Sequence, residues 1–245
     1  MGRAEWLKQM RDKAEALYDD LSPEYWVNFG LYPNETHREY LHKFLGRVAP
    51  HSSLLSAACG AGRYDGLLLE AGHSVVGIDQ SAGMLAQARE HFPEVRYEKV
   101  GLQEMDFREA FDGAICIDAL EHVCPEDWPG ILRGFRAALK PGGALYFTLG
   151  LEEADVVEKA YERAKAQGLP VVFGEVADQV EEASERVKAL RMSGASEELL
   201  DVASAAVYGY FPSLEQVRAW LGQARLAIEE EGAGNGYEHF VVRKR

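Results

Sequence analysis

Leu54-Leu55-Ser56-Ala57-Ala58-Cys59-Gly60-Ala61-Gly62-Arg63, followed by Val75-Val76-Gly77-Ile78-Asp79, decides the fold of this 245-residue chain. The first stretch is apolar and then turns on two glycines, which predicts a buried strand running into a helix. The second is another apolar strand, ending on one carboxylate. Gly60 and Gly62 let the backbone approach a ligand with no Cβ in the way, and the free N–H groups of the next helix aim at the turn. Asp79 falls at the end of the second strand, where it can accept both hydroxyls of a ribose. In that order, these features are how an α/β protein builds a nucleotide site. A glycine turn alone carries little weight, because ordinary strand-to-helix turns also favour glycine; the carboxylate gives it meaning.

The alternation continues outward. Strands are expected over 53–57, 74–78, 95–99, 112–117 and 143–149, with helices over 62–71, 82–91 and 126–139 between them. This pattern implies a parallel sheet with right-handed crossovers. Upstream, Trp6, Met10, Ala14 and Leu17 fall at helical spacing within 3–19. Residues 21–34 are irregular and aromatic, punctuated by Pro23 and Pro33, and 36–48 form a helix leading into the first strand. Downstream, Ser213 caps a helix to Ala224, and strands over 226–230 and 237–243 flank a Gly-Ala-Gly-Asn-Gly turn.

The wording of the turn separates cofactor classes. A dinucleotide fingerprint needs a third glycine where Asp65 stands, so its spacing fails. Ala58-Cys59-Gly60-Ala61-Gly62-Arg63-Tyr64 instead resembles the first motif of class I S-adenosylmethionine-dependent methyltransferases. Val76-Gly77-Ile78-Asp79-Gln80-Ser81 with Met84-Leu85 resembles their second motif, and Phe111-Asp112-Gly113-Ala114-Ile115-Cys116, with Leu120-Glu121-His122-Val123 after it, their fourth-strand motif. Leu139-Lys140-Pro141-Gly142-Gly143 resembles the turn before the fifth strand. The four blocks stand in the family's order and spacing across residues 50–150.

The resemblance implies a Rossmann-like, doubly wound, seven-stranded sheet, mostly parallel with a reversed last strand, and S-adenosyl-L-methionine as co-substrate. Ala58, Gly60 and Gly62 would approach its methionyl and ribose portion through backbone atoms, and Asp79 would hold the ribose. Gln80 and Met84 would flank the adenine, Leu102 and Gln103 would meet its edge, and the Ile117 carbonyl would receive the methionyl ammonium. Arg63 is a candidate for the methionyl carboxylate, with solvent exposure the equal alternative. Two positions depart from the family pattern. Ser56 stands where an acid often meets the ammonium, and Gly101 where an Asp often accepts from the adenine amino group. Each loss removes at most a charge-assisted hydrogen bond of about 1.5–3 kcal/mol.

Asp118, Glu121 and His122 have i, i+3, i+4 spacing just after the fourth strand, which places them on one face if the segment is helical. Three roles fit. His122, with an ordinary pKa near neutrality, suits a general base. An acidic-x-x-Glu-His arrangement also resembles a divalent-cation site of some family members, although Mg²⁺ usually takes only one or two carboxylates. The third role is structural, with Glu121 and His122 orienting the loop. His122 is the expected catalytic residue, with a divalent cation possible but no metal site expected. Tyr208, Tyr210, Tyr237 and His239 are further pocket candidates; His37, His42, His51, His73 and His91 are assigned nothing.

One domain is expected over 1–245: a helical and aromatic lid (1–50), a core (51–150), a helical cap inserted after the fifth strand (151–210) and a closing helix and strand pair (211–245). The cap would lie over a substrate pocket, with an oligomerisation arm as the alternative. A net charge of −14 with no basic cluster before Arg243-Lys244-Arg245 speaks against nucleic acid. No apolar run approaches the roughly 20 residues of a membrane span. Three scattered cysteines suit neither a disulfide framework nor a zinc site. A cytoplasmic monomer or homodimer is expected, methylating an oxygen or nitrogen of a small-molecule acceptor. The alternative is a catalytically inactive S-adenosylmethionine-binding regulatory or partner protein.

Overall fold

The apolar runs pair as their alternation requires. The computed structural model describes residues 1–30, 34–177 and 208–245. Five strands, β1 (Ser53–Ala57), β2 (Ser74–Asp79), β3 (Arg96–Lys99), β4 (Phe111–Cys116) and β5 (Leu139–Gly150), lie parallel. β6 (Glu175–Val176) and β7 (Gly209–Tyr210) form a separate small ladder, while β8 (Leu226–Gly234) and β9 (Tyr237–Lys244) complete the main sheet. β9 runs antiparallel to β5 and β8, giving the order β3-β2-β1-β4-β5-β9-β8. The chain thus winds outward from β1, then returns to lay β4 on the other side of β1. That reversal leaves a crevice beyond the carboxyl ends of β1 and β4, the place where open α/β sheets bind ligands.

Successive strand residues face opposite layers. Leu54, Ile115, Tyr146 and Val241 pack on α2 (Glu35–Leu45), α3 (Asp65–Glu70) and α4 (Ala82–His91). Their neighbours Leu55, Ala114, Leu145 and Phe240 pack on the other side. There they meet α5 (Trp128–Ala138), the helix Leu214–Gln223 that follows β7, and the first half of α1 (Arg3–Tyr25). Strands buried on both faces explain the near-continuous apolar runs.

Several boundaries differ from expectation. The helix expected over 62–71 starts only at Asp65, because Gly60 (φ 54) and Gly62 (φ 80) hold the chain in left-handed turns before it. The helix expected to stop at residue 19 continues to Tyr25 and then widens into a π-helical turn, Trp26–Gly30, so most of the segment expected to be irregular is helical. Pro23 is tolerated because the Asp19 carbonyl, which it cannot serve, accepts from Ser22 Oγ at 2.8 Å. β8 and β9 are longer than expected, since only Asn235 (φ 51) and Gly236 (φ 81) form the turn, and two left-handed residues match the twist of a tight hairpin. In the insertion, α6 (Ala154–Ala166) occupies the segment expected to be helical over 152–167. Glu175–Val176 is a strand rather than the start of a helix over 175–192. The rest of that segment and the helix expected over 196–207 lie outside the described residues. Among the described residues no helix is long and apolar enough to cross a membrane. We number Leu214–Gln223 as α7; Ser213 caps it by accepting from the Gln216 amide, as its sequence predicted.

Candidate functional site

The crevice at the switch point is a cleft of about 1030 Å³, counting its open mouth. Ser56 to Gly60 form its floor, Asp79, Gln80 and Met84 one end, and Ile117, Asp118 and His122 the other. Gly101, Leu102 and Gln103 close the side beyond β3, and Arg11, Ala14, Tyr18 and Tyr25 of α1 form a roof.

The floor is a backbone surface. The Cys59 amide donates to the Ile78 carbonyl at 3.0 Å, tying the turn to β2. Gly60 has nothing within 4 Å of where a Cβ would stand, so its backbone is open to whatever fills the cleft. Asp79 accepts from the Gly60 amide at 2.8 Å through Oδ2 and from the Ser81 amide at 2.8 Å through Oδ1. Each oxygen keeps a lone pair for a further donor, which suits a vicinal diol. Burial raises the Asp79 pKa, opposed by the amides of Ser81, Gly60 and Gln80.

The roof is docked by specific contacts. Asp19 Oδ1 accepts from Ser81 Oγ at 2.6 Å and from the Gly83 amide at 2.9 Å, placing a carboxylate at the positive end of α4. Burial opposes its ionisation, but Ser81, Gly83 and Lys99 outweigh that and hold Asp19 below the ordinary carboxylate range. Gly83 is required here, because a Cβ would stand 3.2 Å from the Asp19 carbonyl and 3.0 Å from Ser22 Cβ. Arg11 pairs with Asp127 at 2.8 Å, and Lys99 with Glu15 at 2.7 Å. At the start of α1, Arg3 reaches the wholly buried Glu175 at 2.6 Å, and Tyr208 donates to the same carboxylate at 2.6 Å.

His122 and Asp118 diverge. His122 Nδ1 lies 3.1 Å from the Tyr208 carbonyl, so in the neutral ring this nitrogen carries the hydrogen. Nε2 is then an acceptor, and the Tyr18 hydroxyl donates to it at 2.9 Å. Asp118 instead has Oδ1 2.8 Å from His37 Nε2 and Oδ2 3.5 Å from Arg63 Nη1. The His37 contact is close but not aligned as a hydrogen bond.

Residues 54–143 match the family model for a methyltransferase domain. The chain is 30% identical over 125 residues to a ubiquinone biosynthesis O-methyltransferase of Histophilus somni, covering 47% of this chain and 51% of that protein. It is 31% identical over 97 residues to an uncharacterised methyltransferase of Synechocystis, covering 39% and 46% respectively. The chain therefore spans about half the length of these curated relatives. Its fold superposes on the Burkholderia thailandensis 1,6-didemethyltoxoflavin-N1-methyltransferase with a TM-score of 0.64 at 18% identity, covering 100% of this chain and 91% of that one. Residues 54–143 are therefore similar to a methyltransferase domain, and the sheet has the fold of S-adenosylmethionine-dependent methyltransferases.

Most of the residues expected to meet the cofactor line the cleft: Ala58, Gly60, Asp79, Gln80, Met84, Leu102, Gln103 and Ile117, along with His122. Gly62 does not. A Cβ on it would meet the Tyr97 hydroxyl at 2.9 Å, so only a glycine packs the turn here. Tyr208 and Tyr210 also lie away from the cleft, buried against Trp6 and Trp220. Tyr237 and His239 pack on His37, behind Asp118. The expected shared face of Asp118, Glu121 and His122 is not formed, because Asp118 is left-handed (φ 54) and Leu120–His122 is a single 3₁₀ turn. Among the described residues no three His, Cys, Asp or Glu side chains converge as metal ligands.

Three further residues take part that no motif marks. His37, assigned nothing, is 1% exposed and faces Asp118. Its signal was its place on the apolar stripe of α2 with Tyr40, Leu41 and Phe44. Tyr18 lies on α1, whose sequence pattern signals only its apolar face. Asp65, noticed only as a missing glycine, is fully buried with Oδ2 accepting from the Tyr97 hydroxyl at 2.7 Å. Burial pushes its pKa up to about 6 against the pull of the Ser56 and Tyr97 hydroxyls.

Proposed function

We propose that this chain is a class I S-adenosylmethionine-dependent methyltransferase that binds S-adenosylmethionine in the cleft and methylates an oxygen or nitrogen of a small-molecule acceptor held beneath α1. The Tyr18–His122 pair, across β1 from Asp79, carries this reading. The donor set suits the cofactor: an open glycine backbone, a carboxylate with spare lone pairs beside it, and tyrosine rings of α1 facing the cleft, whose π-faces attract a cation. When bound, S-adenosylmethionine supplies a methyl group already activated on a sulfonium. The protein then has to bind, align and exclude water.

Asp79 holds the ribose, the backbone of Ala58 and Gly60 and the side chains of Gln80 and Met84 fix the remainder, and Leu102 and Gln103 border the adenine. The Tyr208 carbonyl fixes the tautomer of His122, so Nε2 is the nitrogen that takes the acceptor proton once Tyr18 yields its place. α1 covers the site, and the 151–210 insertion, which supplies the Tyr208 carbonyl, shapes acceptor choice. The relatives' names add one O-methyltransferase and one N1-methyltransferase, consistent with either acceptor atom. The alternative of binding without turnover rests on Ser56 and Gly101 alone.

A panel of phenols, alcohols, amines and N-heterocycles, followed by S-adenosylhomocysteine release, tests the proposal. At least one acceptor should be methylated, and His122→Ala should slow that turnover about 10²–10⁴-fold. A loss under about threefold would remove His122 from the role of base. Cofactor binding with no product across the panel would favour the inactive reading.

A further inference from the structure

Glu175 is wholly buried, stands outside the lining of the cleft, and joins segments far apart in sequence. Arg3, at the start of α1, donates Nη1 to its Oε2 at 2.6 Å and Nη2 to its Oε1 at 2.7 Å. The Val172 amide donates to Oε2 at 2.7 Å, and the Tyr208 hydroxyl to Oε1 at 2.6 Å. Arg3 also reaches Glu126, in the loop after β4, at 2.9 and 3.0 Å. Burial, with Cys124 and Glu175 alongside, raises the Tyr208 pKa, so the hydroxyl keeps its hydrogen. The Tyr208 ring stands edge-on to Trp6 of α1 at 5.7 Å, while its carbonyl lies 3.1 Å from His122 Nδ1. His122 Nε2 takes the hydroxyl of Tyr18, about 22 Å along the same helix from Arg3. Both nitrogens of His122 are thus held by elements that Glu175 fastens together.

We infer that Glu175 is a positioning residue for His122: by joining Arg3 to Tyr208 it fixes where the imidazole stands and which of its nitrogens is left for the acceptor proton. The inference rests on the reading of His122 as the base. A buried ion pair is a weak source of stability, because desolvation offsets the attraction, and its best-attested use is to specify one arrangement. Here that arrangement seats the start of α1 against Tyr208. Tyr208 leads into β7, whose ladder with β6 begins at Glu175, so carboxylate and carbonyl belong to one small unit. Without the clamp the carbonyl is free to shift, and the ring hydrogen can move to Nε2. That nitrogen then donates and cannot take the acceptor proton. Asp19 holds the other half of α1 on α4 independently, so the cofactor end of the roof keeps its place.

Glu175→Gln removes the charge with little change of shape. Tyr208→Phe removes the hydroxyl and leaves the carboxylate paired with Arg3 and the Val172 amide. In the full chain, with an acceptor from the panel above, each should lower kcat about 5- to 20-fold, part of what a general base contributes. Each should leave S-adenosylhomocysteine affinity, measured by calorimetry, within about twofold. Added to His122→Ala, Tyr208→Phe should cost under about twofold more, because no imidazole is left to place. In ¹⁵N-histidine spectra near pH 8, where an ordinary imidazole is neutral, the parent's His122 should carry its hydrogen on Nδ1. Both variants should draw its two nitrogen shifts towards averaged values, with His122→Ala assigning the signals. If Glu175→Gln does not fold, Tyr208→Phe decides alone. Unmoved nitrogen shifts, an unchanged kcat, or the same loss with and without His122 would overturn the inference. No methylated acceptor, or a loss under about threefold in His122→Ala, would overturn the base reading and the catalytic half of the inference; the nitrogen shifts then decide the positioning half by themselves.

Discussion

Replacing Asp65 by Asn removes a carboxylate that folding buries completely, and the effect on stability changes with pH in a direction the structure fixes. The folded pKa of about 6 lies above the ordinary 3.8, so the native state holds the proton more tightly than the unfolded chain. Stability from this group is therefore fully present below about pH 4 and is lost as pH rises through about 6. The whole loss is about 3 kcal/mol, of which about 1.4 kcal/mol falls between pH 5 and 7.5. Asn cannot ionise, yet its carbonyl oxygen can still accept from the Tyr97 hydroxyl, at a cost of about 1 kcal/mol for the lost charge assistance. At pH 7.5 Asp65→Asn should match or exceed the parent in stability, and at pH 5 that advantage should have shrunk by about 1.4 kcal/mol. Urea unfolding of both proteins at the two pH values, followed by circular dichroism, measures the difference; other titrating groups cancel between them. A difference that stays constant with pH, or grows towards acid, would refute the reasoning.

Gly83→Ala would ordinarily favour a helix, but here the added methyl strikes Ser22 and the Asp19 carbonyl. It should destabilise by about 1–3 kcal/mol and speed limited proteolysis within α1; slower cleavage would contradict the account of the roof. Arg3→Ala strands the buried Glu175 carboxylate and should cost about 2–3 kcal/mol in thermal or urea unfolding, below the value for a fully buried pair because Arg3 is about a quarter exposed. A loss under about 0.5 kcal/mol would mean the pair matters little. Ala58→Gly relieves a left-handed alanine worth about 1–2 kcal/mol against a smaller gain in unfolded-chain entropy. Its unfolding midpoint should rise slightly, and a fall would show that the strain is not there.

The sheet was legible because strands buried on both faces leave uninterrupted apolar runs, and the glycine turn with Asp79 marks where the sheet opens. Helix ends were less so. Pro23 reads as a breaker, and only the Ser22 hydroxyl serving Asp19 explains why α1 runs past it. Polar pairs far apart in sequence left no periodic trace: Arg3 meets Glu175, Tyr18 meets His122, and His37 meets Asp118 only through tertiary packing. The spacing of Asp118, Glu121 and His122 gives one shared face only on a helix, and a left-handed Asp118 after the strand removes that condition. His37 was within reach of a stricter reading, since a histidine on an apolar helix face must find a partner or stay buried without one.

The cleft between the Gly60 turn and Asp79 should hold the nucleoside of S-adenosylmethionine. Titrating S-adenosylmethionine and S-adenosylhomocysteine into the parent protein and Asp79→Ala by calorimetry tests it most directly. Micromolar binding to the parent, weakened at least tenfold by the substitution, is the predicted result. Equal affinity in the two proteins, or no binding to the parent, would contradict it.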